Sequence, residues 1–147
     1  MRRLITIAAA AAAAALATFP AAASGATSTK QLGNDCSVTT FGIGRVTTEP
    51  NHFAIFGTGG TSCTGGTGNK SLVVELQVQA NTGTHVMWLP AKTVARSNYA
   101  RNPLRLQVYD DFQGGNGTHH FRISVDATDT HNGVTESRYI LSPVLTA

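Results

Sequence analysis

Four cations fall within fourteen residues: Lys92, Arg96, Arg101 and Arg105, with no acid among them. Tyr99 sits inside this run, and Trp88, the single tryptophan, lies just before it. A cation beside an aromatic ring can stack a sugar or hold an anionic polymer such as a cell-wall glycan. Trp88, Lys92, Arg96, Tyr99 and Arg101 are therefore the candidate ligand-binding residues. The same residues also suit an ordinary solvated face, with Trp88 packed in the core beside Val86.

Other chemistry finds less support. Asp126, Asp129 and Asn132 stand ahead of Gly133, and oxygen donors before a turn glycine can hold Ca²⁺. Their spacing fits no established calcium loop, and Asp or Asn before Gly equally bonds its own backbone in a turn. Asp110 and Asp111 close another strand and can add to that set only if the fold brings them there. His119 and His120 are adjacent, so on a strand they point to opposite faces and cannot share one metal. His52, His85 and His131 are isolated. Residues 65–71 superficially resemble a phosphate-binding loop, but Asn69 replaces the final glycine and a strand pattern follows where a helix is needed. Ser62 does not lie in a G-x-S-x-G elbow. No catalytic residue, metal or cofactor is assigned.

Met1, Arg2 and Arg3 form a basic head, an uncharged alanine-rich run follows, and Pro20 ends it before a stretch of small residues. This three-part layout is that of a secretory signal peptide over residues 1–26; small residues fit a cut after Ala23 or after Ala26, and the second is favoured. A mature chain of about 120 residues remains, enough for one domain with a real core. The expected organisation is a flexible lead-in at 27–33 and a domain at 34–147. Without Arg2 and Arg3 the chain carries nine basic residues against eight acidic. That balance lacks the electrostatic footprint of a nucleic-acid binder. No stretch after the leader is apolar enough to insert in a membrane. The expected location is extracellular.

Strand patterns must position the candidate residues. Leu72, Val74, Leu76 and Val78 alternate with Glu75, Gln77 and Gln79, a strand with one dry and one wet face. Residues 121–127 and 104–108 alternate likewise. Weaker candidates are 36–41, 52–56, 85–89 and 136–141. Turn signals separate them: the Gly/Thr-rich stretch 57–69, the stretches 81–83 and 113–117, and the Asn132-Gly133 pair, which suits a tight hairpin. Residues 91–100 fit either a helical turn or two, or a strand with a bend. Short strands with frequent turns predict an all-β, single-domain antiparallel β-sandwich.

Phe121, Ile123, Val125 and Ala127 resemble the Y-x-V-x-V-x-A strand of fibronectin type III and other immunoglobulin-like domains, with Phe for Tyr. Val86 to Pro90 is similar to their Trp-containing strand. The order of elements departs from that family, and Cys36 and Cys63 do not flank Trp88. The whole chain also resembles small secreted actinobacterial β-domain proteins in composition. Neither resemblance carries a catalytic residue across. The expected role is a non-catalytic secreted binding domain for a polysaccharide or protein, with a protease inhibitor and a small hydrolase as rivals.

Cys36 and Cys63 are the only cysteines, and in an exported chain such a pair forms one disulfide. It closes a loop of about 28 residues, worth roughly 3–4 kcal/mol in chain-entropy terms. Replacing both cysteines by alanine is expected to lower unfolding free energy by about that amount in urea melts.

Overall fold

Alternating side chains give strands in every described part of the chain. The computed structural model describes residues 27–65, 68–81, 83–99, 102–113 and 117–147. The leader expected at 1–26 and the candidate Arg101 lie outside these residues. The described strands are β1 (Ser28–Leu32), β2 (Cys36–Glu49), β3 (His52–Cys63), β4 (Asn69–Asn81), β5 (Val86–Ser97), β6 (Leu104–Gln113), β7 (His120–His131), β8 (Val134–Leu141) and β9 (Leu145–Thr146). They form two antiparallel sheets. Sheet A has the order β1-β2-β3-β6, and sheet B the order β5-β4-β7-β8, with β9 also on β7. The expected all-β antiparallel sandwich is the observed architecture, and Cys36–Cys63 is its disulfide.

The core forms where the dry faces of both sheets meet. Leu72, Val74 and Leu76 of β4 and Phe121, Ile123 and Val125 of β7 pack against Val38, Ile43, Phe53, Ile55 and Val108 of sheet A. At one end three rings cluster. Phe112 and Phe121 have centroids 4.8 Å apart, and Phe53 lies 5.9 Å and 6.0 Å from them. At the other end sits the disulfide, joining directly paired residues of β2 and β3 within sheet A.

Two sequence expectations need correction. Residues 57–63 are not loop: they are the second half of β3, paired with β2 and, as far as Thr61, also with β6. Glycine there serves packing rather than turning. A Cβ on Gly57 would meet Ile123 Cγ2, and one on Gly59 would lie 2.5 Å from Val125 Cγ2 and 2.8 Å from Val74 Cγ2. The sheets touch through bare backbone at these points. The second correction concerns 27–33. Ser28–Leu32 pairs with β2 over five residues and buries Leu32, so the sandwich starts before residue 34. A mostly polar edge strand with one core residue leaves no periodicity to read.

Residues 91–100, open between helix and strand, run as β5 to Ser97 with a bulge between Pro90 and Lys92. Pro90 has no N–H to give, which an edge strand tolerates. The β7–β8 hairpin turns on Asn132 (φ 51°) and Gly133 (φ 78°), the left-handed pair expected there. The opposite flank of the sandwich is closed by Arg138. Its Nε donates to Gln31 O at 2.8 Å and its Nη1 to Ser137 O at 3.0 Å, so one guanidinium covers edge carbonyls of both sheets.

Gly59→Ala is expected to cost about 1–3 kcal/mol through overpacking against Val125 and Val74. Gly65→Ala, with nothing within 4 Å of its Cβ position, is expected to change stability by less than about 0.5 kcal/mol, and urea melts of both variants check the contrast.

Candidate functional site

Strand parity decides what each candidate residue can reach. On β4 the even residues from Leu72 to Leu76 enter the core, so Glu75, Gln77 and Gln79 face outward. Trp88 pairs with Gln79 and Arg122 with Gln77, which puts both on the same outward face of sheet B. The bulge at Ala91 then inverts β5. Lys92 pairs with Leu76 and Arg96 with Leu72, so these cations leave from the opposite side of the strand, exposed along the sandwich flank. Trp88 and the pair Lys92 and Arg96 are therefore not brought together. Tyr99 is at a third place, half-buried at the disulfide end, where its hydroxyl shares a 2.5 Å hydrogen bond with Thr61 Oγ1.

Arg122, a residue that sequence reading passed over, is Trp88's actual partner. Its guanidinium carbon lies 4.1 Å from the Trp88 ring centroid. Its Nε donates to Gln77 Oε1 at 2.7 Å. Gln77 Nε2 donates to Glu75 Oε1 at 2.6 Å, and Thr93 Oγ1 donates to Glu75 Oε2 at 3.4 Å. The result is a connected row across β5, β4 and β7: Trp88, Arg122, Gln77, Glu75 and Thr93. Each side chain restrains the next, so the face is ordered before any ligand arrives. Further along the same face stand Ser124, Asp126 and Tyr139, the last half exposed. Only the register reveals the site, because Arg122 lies 34 positions from Trp88 in sequence.

The disulfide end has a different character. Lys70 and Asp129 are directly opposed across β4 and β7, and Glu136 is opposite Asp129 on β8. Asp129 Oδ2 lies 3.7 Å from Cys36 Sγ, a packing contact because a disulfide sulfur has no proton to donate. Asp129 Oδ1 is buried with no hydrogen-bond partner among the described residues. Asn102 completes this end, its side-chain amide bonding both the N–H and the C=O of Cys63. An open cleft of about 270 Å³ lies between the β1–β2 and β7–β8 turns, lined by Asn34, Asp35, Asp129, His131 and Glu136 among others. Of the calcium candidates, Asp129 and Asn132 line it and Asp126 does not. Three positions along a strand is an odd step, so Asp126 and Asp129 point to opposite faces. Asp110 and Asp111 lie toward the other end of the sandwich, paired with Ile55 and Ala54. Among the described residues no three His, Cys, Asp or Glu side chains gather as a metal set.

The histidines are also dispersed. His119 approaches the Phe121 ring at 6.3 Å, and His120 Nδ1 bonds Thr146 Oγ1 at 3.1 Å on the other face.

Fold and site together define a two-sheet antiparallel β-sandwich with an in-sheet disulfide and an ordered aromatic–polar outer face. Beyond that class the comparisons identify no relative: no protein-family model, curated protein or solved structure matches the chain.

Burial pushes the Tyr99 phenol above its ordinary value; the Thr61 hydrogen bond opposes this, and the charge of Asp129 adds to it. A raised folded value means the native state holds the proton longer than the unfolded chain. The associated stability is full below the ordinary phenol range near 10 and is lost as pH rises through the folded value. Tyr99→Phe is therefore expected to flatten the decline of Tm above pH 10. At neutral pH it should cost about 0.5–1.5 kcal/mol, the worth of one hydrogen bond. An unchanged alkaline slope contradicts the assignment.

Proposed function

We propose that this protein is an extracellular, non-catalytic binding domain, and that its ligand is a glycan laid on the outer face of sheet B. The observation that carries the reading is the held pair of Trp88 and Arg122 on a polar face that also carries amides, hydroxyls and the carboxylates of Glu75 and Asp126. Sugars are recognised by planar side chains against their C–H faces and by amide groups hydrogen-bonding their hydroxyls. Gln79, Thr93 and Trp88 supply both types, with the buried Gln77 holding Arg122 in place beneath them. Restraint of the row reduces the side-chain entropy that binding would cost, about 0.5–1.5 kcal/mol per long side chain.

The extracellular location draws support from the disulfide, which persists in oxidising compartments, and from the signal-like sequence of residues 1–26. A protease inhibitor would have to present the Gly/Thr-rich stretch 57–69 beside Cys63 as its loop. The first half of that stretch is the interior of β3, which leaves little loop to insert into a protease.

Trp88 reports directly on this proposal. Its fluorescence should shift and become protected from quenchers when the mature protein is titrated with a binding polysaccharide. Trp88→Ala should weaken that binding tenfold or more, on the order of 1.4 kcal/mol. Equal affinity in wild type and Trp88→Ala, with an emission indifferent to bound polysaccharide, defeats the reading.

A further inference from the structure

We infer that the glycan taken by this face is acidic, and that Arg122 receives its carboxylate. The inference rests on the glycan-binding reading above and adds the chemical class. Arg122 is held twice, by the 2.7 Å bond from Nε to Gln77 Oε1 and by the 4.1 Å stack on Trp88. Those contacts use one donor and one face of the guanidinium. Its two Nη groups make no hydrogen bond among the described residues. A planar fork with both outer nitrogens open matches a carboxylate in bidentate fashion.

Arg122 is also in no direct ion pair among the described residues. Arg122 meets an amide oxygen, not a carboxylate. Glu75 is held back by Gln77 Nε2 at 2.6 Å and Thr93 Oγ1 at 3.4 Å, so Gln77 separates the two ions. His120 is the next outward residue beyond Arg122 on β7. In the other direction Asp126 is four residues away, about 13 Å along the strand. The face thus has a cationic end at Arg122, beside Trp88, and an anionic end at Asp126, with Glu75 set off from Arg122 by Gln77. A sugar acid is accommodated at the first, and neutral units extend over Ser124 toward the second.

A rival source of acid affinity is the exposed flank of Lys92 and Arg96, which would attract any polyanion without geometry. The experiment separates the two. The mature protein is titrated calorimetrically with galacturonic acid oligosaccharides and with the same oligosaccharides methyl-esterified, at low and at 0.15 M salt. The acid form should bind at least tenfold tighter than the ester at both salts. Arg122→Gln should abolish that preference, and Arg122→Lys should lose most of it, because a point charge lacks the fork. The pair Lys92→Gln and Arg96→Gln should keep it. Thermal melts verify folding, and if Arg122→Gln is unfolded the judgement passes to Arg122→Lys. Equal binding of acid and ester overturns this inference and leaves the glycan reading standing. Loss of the preference in the Lys92/Arg96 variant but not in the Arg122 variants also overturns it. Absence of binding by either oligosaccharide overturns both.

Discussion

The sandwich depends on the close approach of β3 to sheet B. Facing sheets normally lie about 10 Å apart, with side chains of both filling the gap. Here β3 brings bare backbone at Gly57 and Gly59 opposite Ile123, Val125 and Val74. The branched side chains of sheet B fill the space that residues of β3 would have occupied. Close contact at the middle forces the bulkier groups to the ends: the three phenylalanines at one, the disulfide and the Tyr99–Thr61 pair at the other. It also fixes β4 and β7 face down. The outward row of Gln77, Arg122 and Trp88 is the other side of that same constraint.

The outer face of sheet A uses glycine in a related way. A Cβ on Gly44 would meet the Phe56 ring, and one on Gly60 would lie 2.9 Å from Phe41 Cε2. Phe41 is in turn covered by Arg105, whose guanidinium carbon is 4.1 Å from its centroid. Both sheets therefore carry an arginine stacked on a ring. They differ in what surrounds the stack. On sheet A the arginine and ring lie over glycine backbone and cover it, a packing arrangement. On sheet B the stack is tied into side-chain amides and a carboxylate, which are groups able to exchange partners with a ligand.

Much of this fold was legible because period-two alternation survives wherever side chains are large. The patterns at 71–79, 104–108 and 121–127 fall within β4, β6 and β7, and Asn132-Gly133 forms its hairpin. Legibility failed where the signal needs a side chain to speak. In β3 the alternating inward positions continue as Ile55, Gly57, Gly59 and Thr61, so the strand's dry face is written partly in hydrogen atoms. The parity itself was available: the inward sequence skips every second residue without interruption. In β1 only Leu32 is buried, too little for a pattern. The site was less legible than the fold. Trp88 could be singled out by type, but its partner is set by two strand registers that a single chain does not encode locally.

The bulge after Pro90 shows how a one-residue irregularity reassigns function along a strand. With uninterrupted pairing Trp88, Lys92 and Arg96 would share a face, since they differ by even steps. A bulge places two residues against one and reverses the parity beyond it. The tryptophan then belongs to the sheet surface and the lysine and arginine to the flank. This division protects the strand as well. β5 is an edge, its Val86, Met87 and Leu89 are exposed, and an apolar edge invites another strand to pair. A proline without an N–H, a bulge and two cations on the inward side all act against such pairing. The Lys92 and Arg96 charges thus have a sufficient reason to be where they are without a ligand. No such edge-guarding role accounts for Arg122, which lies on a central strand with its Nε and one ring face committed and its Nη groups open.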